Sequence, residues 1–338
     1  MQIIIHPGHP KCGSTSIQRA LLRNRHKLAK KNTYFPDNNF VFSFEKDCNL
    51  SADTPRLYFK NIHLCQNESS LEERLIEFEK RLIEIKGFEE KYNCKKIIVS
   101  AENLVNRLGG AYGRKVHELF AKHFNDIKIV YFIRLQEDFI LSAWQQWSHK
   151  DGTTIEDFVK QSIRQSVPNY LNVSRFFASC YGQDKVKVVP LHPDALTNGN
   201  LIEEFMLQAG VDAKELNTKN VVFNETLNPY LCEVLSEMNG VYSSIHDPLV
   251  KKTLLKFTGN AKALSDKAPQ FLSLSLREKI RNHFDKSNKI LHREFLEEYR
   301  FESIFQPKDV SETGQNDREN QYKEIIKALI SPALINKE

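Results

Sequence analysis

Four short runs of mostly β-branched apolar residues recur along the chain. They read QIIIH (2–6), KKIIVS (95–100), IKIVYFI (127–133) and KVKVVPL (185–191). Runs that are apolar at nearly every position are typical of strands buried on both faces of a parallel sheet, and long stretches with helical periodicity separate them here. The pattern predicts an α/β fold with a central, mostly parallel sheet.

The overall composition is that of an ordinary globular protein. The 338 residues are 41% hydrophobic and 27% charged, with a formal net charge of +5. This small positive excess suits an anionic ligand but is too small to predict a nucleic-acid-binding protein. A strand pattern starts directly after Met1, and no apolar run approaches the ~18 residues of a membrane span, so we expect a cytoplasmic protein of bacterial type.

The cysteines lie far apart in the sequence, with no CxxC pair and no Cys/His cluster at zinc-ligand spacing. They are Cys12, Cys48, Cys65, Cys94, Cys180 and Cys232. The sequence therefore predicts reduced thiols, with neither a disulfide framework nor a metal site.

The remaining sequence predicts a single domain with one insertion. Residues 32–95 begin without periodicity and end in a helical pattern, and we interpret them as an insertion plus helix that lines the acceptor site. The pattern over 192–305 is almost wholly helical, which predicts a helical C-terminal part of an α/β domain covering 1–305. Residues 306–338 read as a polar linker followed by a short helix.

The first predicted strand leads through a glycine turn into a helix. Gly8 and Gly13 have the spacing of the phosphate-loop pattern GxxxxGK[ST], but Ser14 occupies the lysine position and Lys11 lies three positions earlier. Backbone N–H groups over 13–16 are predicted to bind a phosphate at the helix N-terminus. The alternative is a ligand-free turn in which serine and threonine only cap the helix. The displaced lysine argues against ordinary ATP chemistry.

A second motif makes the loop more specific, because the two together resemble the sulfotransferases that use 3′-phosphoadenosine 5′-phosphosulfate. In that family the loop commonly reads PKxG[ST][ST], and the matching residues here are Pro10, Lys11, Gly13, Ser14 and Thr15, with Cys12 at the variable position. The family's second motif is an arginine at a strand end followed eight positions later by a serine, as in Arg134 and Ser142. Both motifs follow predicted strands, at the edge where open α/β sheets bind ligands.

The resemblance implies a three-layer P-loop sulfotransferase-like fold and a role for each motif. The loop through Ser16 would hold the 5′-phosphate, Arg134 and Ser142 the 3′-phosphate, and Lys11 would lie beside the transferring sulfuryl group, with no metal required. Gln136 replaces the proline of the animal pattern, so the match is to a branch similar to bacterial glycan sulfotransferases. That branch implies a carbohydrate or glycolipid acceptor, with membrane proximity only through the acceptor.

A hydroxyl acceptor also needs a general base, because its pKa lies far above neutrality. Glu102 follows the second predicted strand and is the best-placed acid. Alternatively, Ser100 or Glu102 caps a helix that begins near Asn103. His9 in the loop and His149 after the Ser142 helix are rival bases.

The sequence thus predicts sulfuryl transfer, by in-line displacement, to a sugar hydroxyl of a surface polysaccharide, lipopolysaccharide or glycolipid. Two alternatives stay open. A P-loop kinase with a relocated lysine would depend on magnesium. A nucleotide-binding protein without catalysis would bind the nucleotide but not turn it over.

Overall fold

The computed structural model describes residues 1–45, 50–65, 67–105, 111–219, 226–238, 240–306 and 315–335. The chain divides into two compact units, and each unit is assembled from three separate segments. The first unit comprises Met1–Arg134, Tyr170–Phe223 and Ile290–Ile304. The second unit comprises Leu135–Asn169, Asn224–Lys289 and Phe305–Glu338.

A five-stranded parallel sheet forms the centre of the first unit. Its strands are β1 (Gln2–His6), β2 (Thr33–Tyr34), β3 (Lys96–Ser100), β4 (Ile127–Ile133) and β5 (Val186–Pro190). Their spatial order is β2-β3-β1-β4-β5, and every neighbouring pair is parallel. The predicted α/β class and parallel sheet are confirmed. The four apolar runs form β1, β3, β4 and β5, whereas β2 is a two-residue strand that the sequence did not predict.

Helices make up most of the remaining described chain. They are α1 (Ser14–Lys30), α2 (Arg56–His63), α3 (Glu68–Lys86), α4 (Phe88–Tyr92), α5 (Ala111–His123), α6 (Gln136–Gln146), α7 (Ile155–Gln165), α8 (Tyr170–Tyr181), α9 (Leu201–Gln208), α10 (Pro229–Ser236), α11 (Leu249–Phe257), α12 (Leu274–Phe295), α13 (Phe301–Phe305) and α14 (Gln315–Ile335). The predicted insertion contains β2, α2, α3 and α4, so it is less irregular than the sequence suggested.

Helices cover both faces of the sheet in the first unit. On one face, α1 and α9 pack over buried side chains from four strands. These side chains are Ile4, Ile98, Val130, Phe132 and Val189. Successive residues of a strand point to opposite faces. Accordingly Tyr131 of β4 faces the other side, where its ring contacts Phe177 of α8 at 5.9 Å between centroids. The first unit is therefore a three-layer α/β arrangement.

The connections that follow the neighbouring parallel strands β1 and β4 run to opposite sides of the sheet. From β1 the chain runs through α1 to β2 on one side of the sheet, and from β4 it continues to β5 on the other side. In open α/β sheets, ligands bind beyond the carboxyl ends of the strands at such a switch point. The glycine loop after β1 and Arg134 after β4 lie on either side of it.

The second unit is helical in its described residues and contains a buried ion pair. Its apolar core includes large side chains from several helices, among them Phe139, Trp144, Tyr230 and Phe271. The Glu137 carboxylate lies 2.5 Å from the Arg277 guanidinium, and the two side chains are only 1% and 3% exposed. Arg281 provides a second cation for the same carboxylate.

Several predictions concern the chain ends, the membrane and the cysteines. Of the predicted polar linker, residues 307–314 lie outside the described residues, and the predicted terminal helix is α14. In the described parts of the chain, no helix has the length and apolar character to cross a bilayer. Cys48 also lies outside the described residues, and the other five cysteines are free thiols, as predicted.

Substituting Arg277 by methionine should strongly destabilise the second unit. The change leaves the buried Glu137 carboxylate with Arg281 alone, and breaking a buried pair costs about 3 kcal/mol or more of unfolding free energy. Arg175 also pairs with a glutamate, Glu294, but is 51% exposed. Arg175→Met should therefore cost far less stability than Arg277→Met. Urea denaturation of both variants measures the difference, and equal losses would contradict the assigned burial effect.

Candidate functional site

The loop after β1 contains three residues with left-handed backbone conformation. These are Gly8 (φ +62°), Lys11 (φ +62°) and Gly13 (φ +80°). A Cβ on Gly8 would lie 3.2 Å from the Cα of Glu102, and one on Gly13 would meet the end of the Leu201 side chain. Only glycine combines this backbone conformation with these close approaches. The glycine spacing that suggested a phosphate loop therefore has a steric basis.

The loop presents the N-terminus of α1 at the carboxyl edge of the sheet. The Ser14 hydroxyl donates a hydrogen bond to the His9 carbonyl at 3.1 Å and so closes the loop. The N-cap residue of this helix is Gly13, which makes no side-chain cap hydrogen bond. Helix N-termini carry partial positive charge and outward N–H groups, which favour anions.

Three charged side chains act on one buried thiol in this loop. Burial raises the pKa of Cys12 to about 12, the charges of Arg134 and Lys11 act to lower that pKa, and the charge of Glu102 acts to raise it. All three residues were predicted for the site, from separate parts of the sequence. Lys11 and Arg134 act on the thiol in one direction and Glu102 in the other, so two cations and one carboxylate lie within electrostatic range of the loop.

Glu102 begins a 3₁₀ turn, Glu102–Val105, just beyond the end of β3. Its carboxylate lies 3.8 Å from the guanidinium of Arg56, and its side chain is 21% exposed. Burial raises the pKa of Glu102, while the positive charges of Arg56 and Lys11 act against that rise. A partly buried carboxyl with a raised pKa is a better proton acceptor than an ordinary glutamate.

Ser100, the other predicted cap, has a different partner. Its hydroxyl lies 2.8 Å from Nδ1 of His6, a fully buried residue at the end of β1. Burial lowers the pKa of His6 to about 3, so the ring is neutral. The pair joins the ends of β1 and β3, which is a structural role.

His9, the rival base inside the loop, is half-buried among aromatic rings. Its ring centroid lies 5.3 Å from that of Tyr170 and 6.1 Å from that of Tyr131. Nδ1 lies 3.2 Å from the Pro10 carbonyl oxygen. Burial lowers the pKa of His9 to about 4, so at neutral pH it is uncharged but only weakly basic.

Ser142 and His149 lie in the second unit. Ser142 is a buried residue of α6. Both ring nitrogens of His149 have partners, the Trp144 carbonyl at 3.1 Å and the Tyr242 hydroxyl at 3.0 Å. Acting as a base would cost His149 one of these hydrogen bonds. Arg134 is the last residue before the chain enters the second unit, and its predicted pairing with Ser142 stays a prediction.

Two residues near the site were not found by sequence reasoning. Arg56, the partner of Glu102, is the first residue of α2 in the segment interpreted as irregular. Tyr170, the first residue of α8, receives a hydrogen bond from the Arg134 backbone N–H at 3.4 Å. It also forms a side-chain hydrogen bond with Cys12. Neither residue belongs to a motif, so no local signal could have identified them.

The chemical character of the described site is that of an anion site with a proton acceptor beside it. The helix N-terminus, Lys11 and Arg134 supply positive potential, and Glu102 supplies the carboxylate. Across the described residues, no group of three or more His, Cys, Asp or Glu side chains is arranged to hold a metal ion. Comparison of the chain with protein-family models, curated proteins and solved structures gives no match.

Replacing Lys11 by alanine and by glycine should give variants of different stability. Both lose the amine, but glycine tolerates the left-handed backbone, so we expect Lys11→Gly to be about 1 kcal/mol more stable than Lys11→Ala. At Lys80, an exposed position within α3, the order should reverse, because glycine destabilises helix interiors by about 0.5–1 kcal/mol. Chemical denaturation of the four variants tests this, and the same order at both positions would contradict the backbone assignment.

Proposed function

We propose that the chain is a cytoplasmic sulfotransferase, with a P-loop sulfotransferase-like fold, that transfers a sulfuryl group from 3′-phosphoadenosine 5′-phosphosulfate to a hydroxyl. The observation that carries the proposal is that Lys11, Arg134 and Glu102 follow the three neighbouring strands β1, β4 and β3, with Glu102 packed so closely on the loop that a Cβ on Gly8 would lie 3.2 Å from its Cα. Each of these three residues came from a different part of the sequence. An anion-binding loop alone would serve many nucleotides, but these side chains add the charges that sulfuryl transfer requires.

The donor carries two phosphates, and the proposal assigns one to each side of the switch point. The 5′-phosphate would bind the N–H groups of the loop from Pro10 to Ser16 at the start of α1. The 3′-phosphate would bind Arg134, with Ser142 as its second contact. Gly8 and Gly13 support this assignment, because without side chains there the loop backbone can turn tightly.

In the transfer step, the acceptor oxygen attacks sulfur in line with the bridging oxygen that joins sulfur to the 5′-phosphate. A new S–O bond forms, the bond from sulfur to the bridging oxygen breaks, and that oxygen leaves with 3′-phosphoadenosine 5′-phosphate. Negative charge grows on the bridging and equatorial oxygens, and a fixed cation lowers the energy of that state. The Lys11 ammonium takes this role.

The proton of the acceptor hydroxyl goes to Glu102. Burial raises the pKa of this carboxyl, while Arg56 and Lys11 limit the rise. The balance keeps Glu102 more basic than an ordinary glutamate. His9 is the weaker candidate because burial lowers its pKa to about 4.

The acceptor is proposed to be a hydroxyl on a sugar of a surface polysaccharide, lipopolysaccharide or glycolipid. This rests on the likeness to the bacterial glycan-sulfating branch. The exposed Arg56 comes from the segment predicted to line the acceptor site, and its ion pair with Glu102 supports that assignment.

The protein should bind 3′-phosphoadenosine 5′-phosphate without added metal. At a ligand concentration one hundred times the dissociation constant, binding to the folded state alone stabilises it by about 2.7 kcal/mol. Thermal-shift measurements with this nucleotide, ATP, and ATP plus magnesium test the expectation. A melting temperature raised only by ATP with magnesium would favour the kinase alternative and contradict the proposed sulfotransferase function.

In the same assay, Arg134→Ala should reduce the preference for 3′-phosphoadenosine 5′-phosphate over adenosine 5′-phosphate by about 10-fold or more, since a charge-assisted contact is lost. Arg114, a half-exposed arginine of α5 paired with Glu118, provides the control. Arg114→Ala should leave the preference unchanged. A preference that survives Arg134→Ala would contradict the assignment of the 3′-phosphate.

Glu102→Gln should lower turnover by about 10²- to 10⁴-fold on a sugar hydroxyl, and far less on an acidic phenol that needs no base. In the wild type, kcat/KM should fall as the pH falls through the raised pKa of Glu102. Arg56→Gln removes a cation that lowers this pKa, so the fall should begin at a higher pH.

Arg74→Gln is the matched control for that pH shift. Arg74 is similarly exposed and lies 3.9 Å from Glu77 on α3, so its loss changes the net charge equally without touching Glu102. A labelled donor gives the pH profiles. Equal profiles for Arg56→Gln and Arg74→Gln, or a Glu102→Gln loss independent of the acceptor, would exclude Glu102 as the base.

A further inference from the structure

We propose that Tyr170 is a positioning residue that couples the glycine loop to the carboxyl end of β4. Its hydroxyl accepts a hydrogen bond from the backbone N–H of Arg134 at 3.4 Å. The same hydroxyl forms a side-chain hydrogen bond with the thiol of Cys12 in the loop. One oxygen therefore connects the two segments that flank the switch point.

The surroundings of Tyr170 make this connection specific. The residue is only 2% exposed, so water does not compete for its hydroxyl. Inside a protein, a buried hydroxyl with two partners fixes their separation more tightly than a solvated one. The ring also lies 5.3 Å from His9, another residue of the loop, and so holds the loop from two positions.

The position of Tyr170 in the chain gives the connection a further role. Arg134 is the last residue of the first unit before the chain leaves it, and Tyr170 is the first residue after the chain returns. The hydrogen bond between them joins the two ends of the intervening segment, residues 135–169. The orientation of the Arg134 backbone is thus set by a residue that follows it by 36 positions.

If Arg134 binds the 3′-phosphate, as the proposed function has it, Tyr170 sets the distance between the two phosphate-binding segments. Loss of its hydroxyl should then impair recognition of the 3′-phosphate more than recognition of the 5′-phosphate. A role in packing alone would weaken both equally.

The chain provides a closely matched control in Tyr131. Its ring is also fully buried and lies 6.4 Å from Tyr170 and 6.1 Å from His9. Its hydroxyl, however, has no hydrogen-bond partner among the described residues. Tyr170→Phe and Tyr131→Phe therefore remove the same atom from adjacent buried rings, but only the first removes a connection. Removing an unpaired buried hydroxyl should be neutral or slightly stabilising.

Hydrogen–deuterium exchange of the ligand-free protein tests the coupling directly. Tyr170→Phe should speed amide exchange about 3- to 10-fold in peptides covering the loop and Arg134, as expected when each segment loses one hydrogen bond. Tyr131→Phe should leave these peptides unchanged. If both variants exchange like the wild type, or both accelerate equally, the proposed coupling is wrong.

Nucleotide binding then separates this inference from the proposed function. Tyr170→Phe should reduce the affinity ratio of 3′-phosphoadenosine 5′-phosphate to adenosine 5′-phosphate about 3- to 10-fold, while Tyr131→Phe should keep the wild-type ratio. A wild-type protein that does not bind the bisphosphate would overturn the proposed function, with the exchange result still deciding the coupling. A bisphosphate-binding wild type whose affinity ratio survives Tyr170→Phe would overturn the positioning role alone.

Discussion

The candidate site depends on β1 pairing with a parallel neighbour on each side. β1 pairs with β3 over its full length and with β4 over Ile3 to Ile5, so all three strands end at the same edge. Glu102 follows one neighbour and Arg134 the other, on either side of the glycine loop. A slip of one residue in either pairing would reverse which face each side chain occupies. The apolar packing of both faces therefore also fixes the positions of the charged groups.

The loop combines backbone strain with concentrated charge. Lys11 holds a left-handed conformation without being glycine, and such residues cluster at functional sites because the surrounding fold keeps them there. In the next residue, Cys12, burial raises the pKa of the thiol to about 12, so the thiol stays neutral despite the two cations Lys11 and Arg134. Because the thiol carries no negative charge, it does not offset the positive potential of Lys11 and Arg134, which stays available to an anionic ligand.

The sequence predicted the parts of this architecture that have local signals. The four apolar runs gave four strands to within a residue or so, because a buried parallel strand must be apolar at nearly every position. The glycine loop was predictable because its left-handed turns exclude most other residues. β2 was missed since two residues cannot show a periodicity. Tyr170 and Arg56 were missed because their roles come from contacts with distant residues, which no local pattern records.

The discontinuous first unit has a consequence for biosynthesis. Synthesis proceeds at ~5–20 residues per second, so roughly 10 to 30 s pass between translation of the loop and translation of Tyr170. Cys12 is present for all of this time and Arg134 for roughly the last 2 to 7 s, but both lack the hydroxyl that later joins them. β4 likewise has an unpaired edge until β5 follows, and open strand edges invite association with other chains. The site can thus be completed only after more than half of the polypeptide exists, and the nascent sheet keeps an open edge until β5 is made.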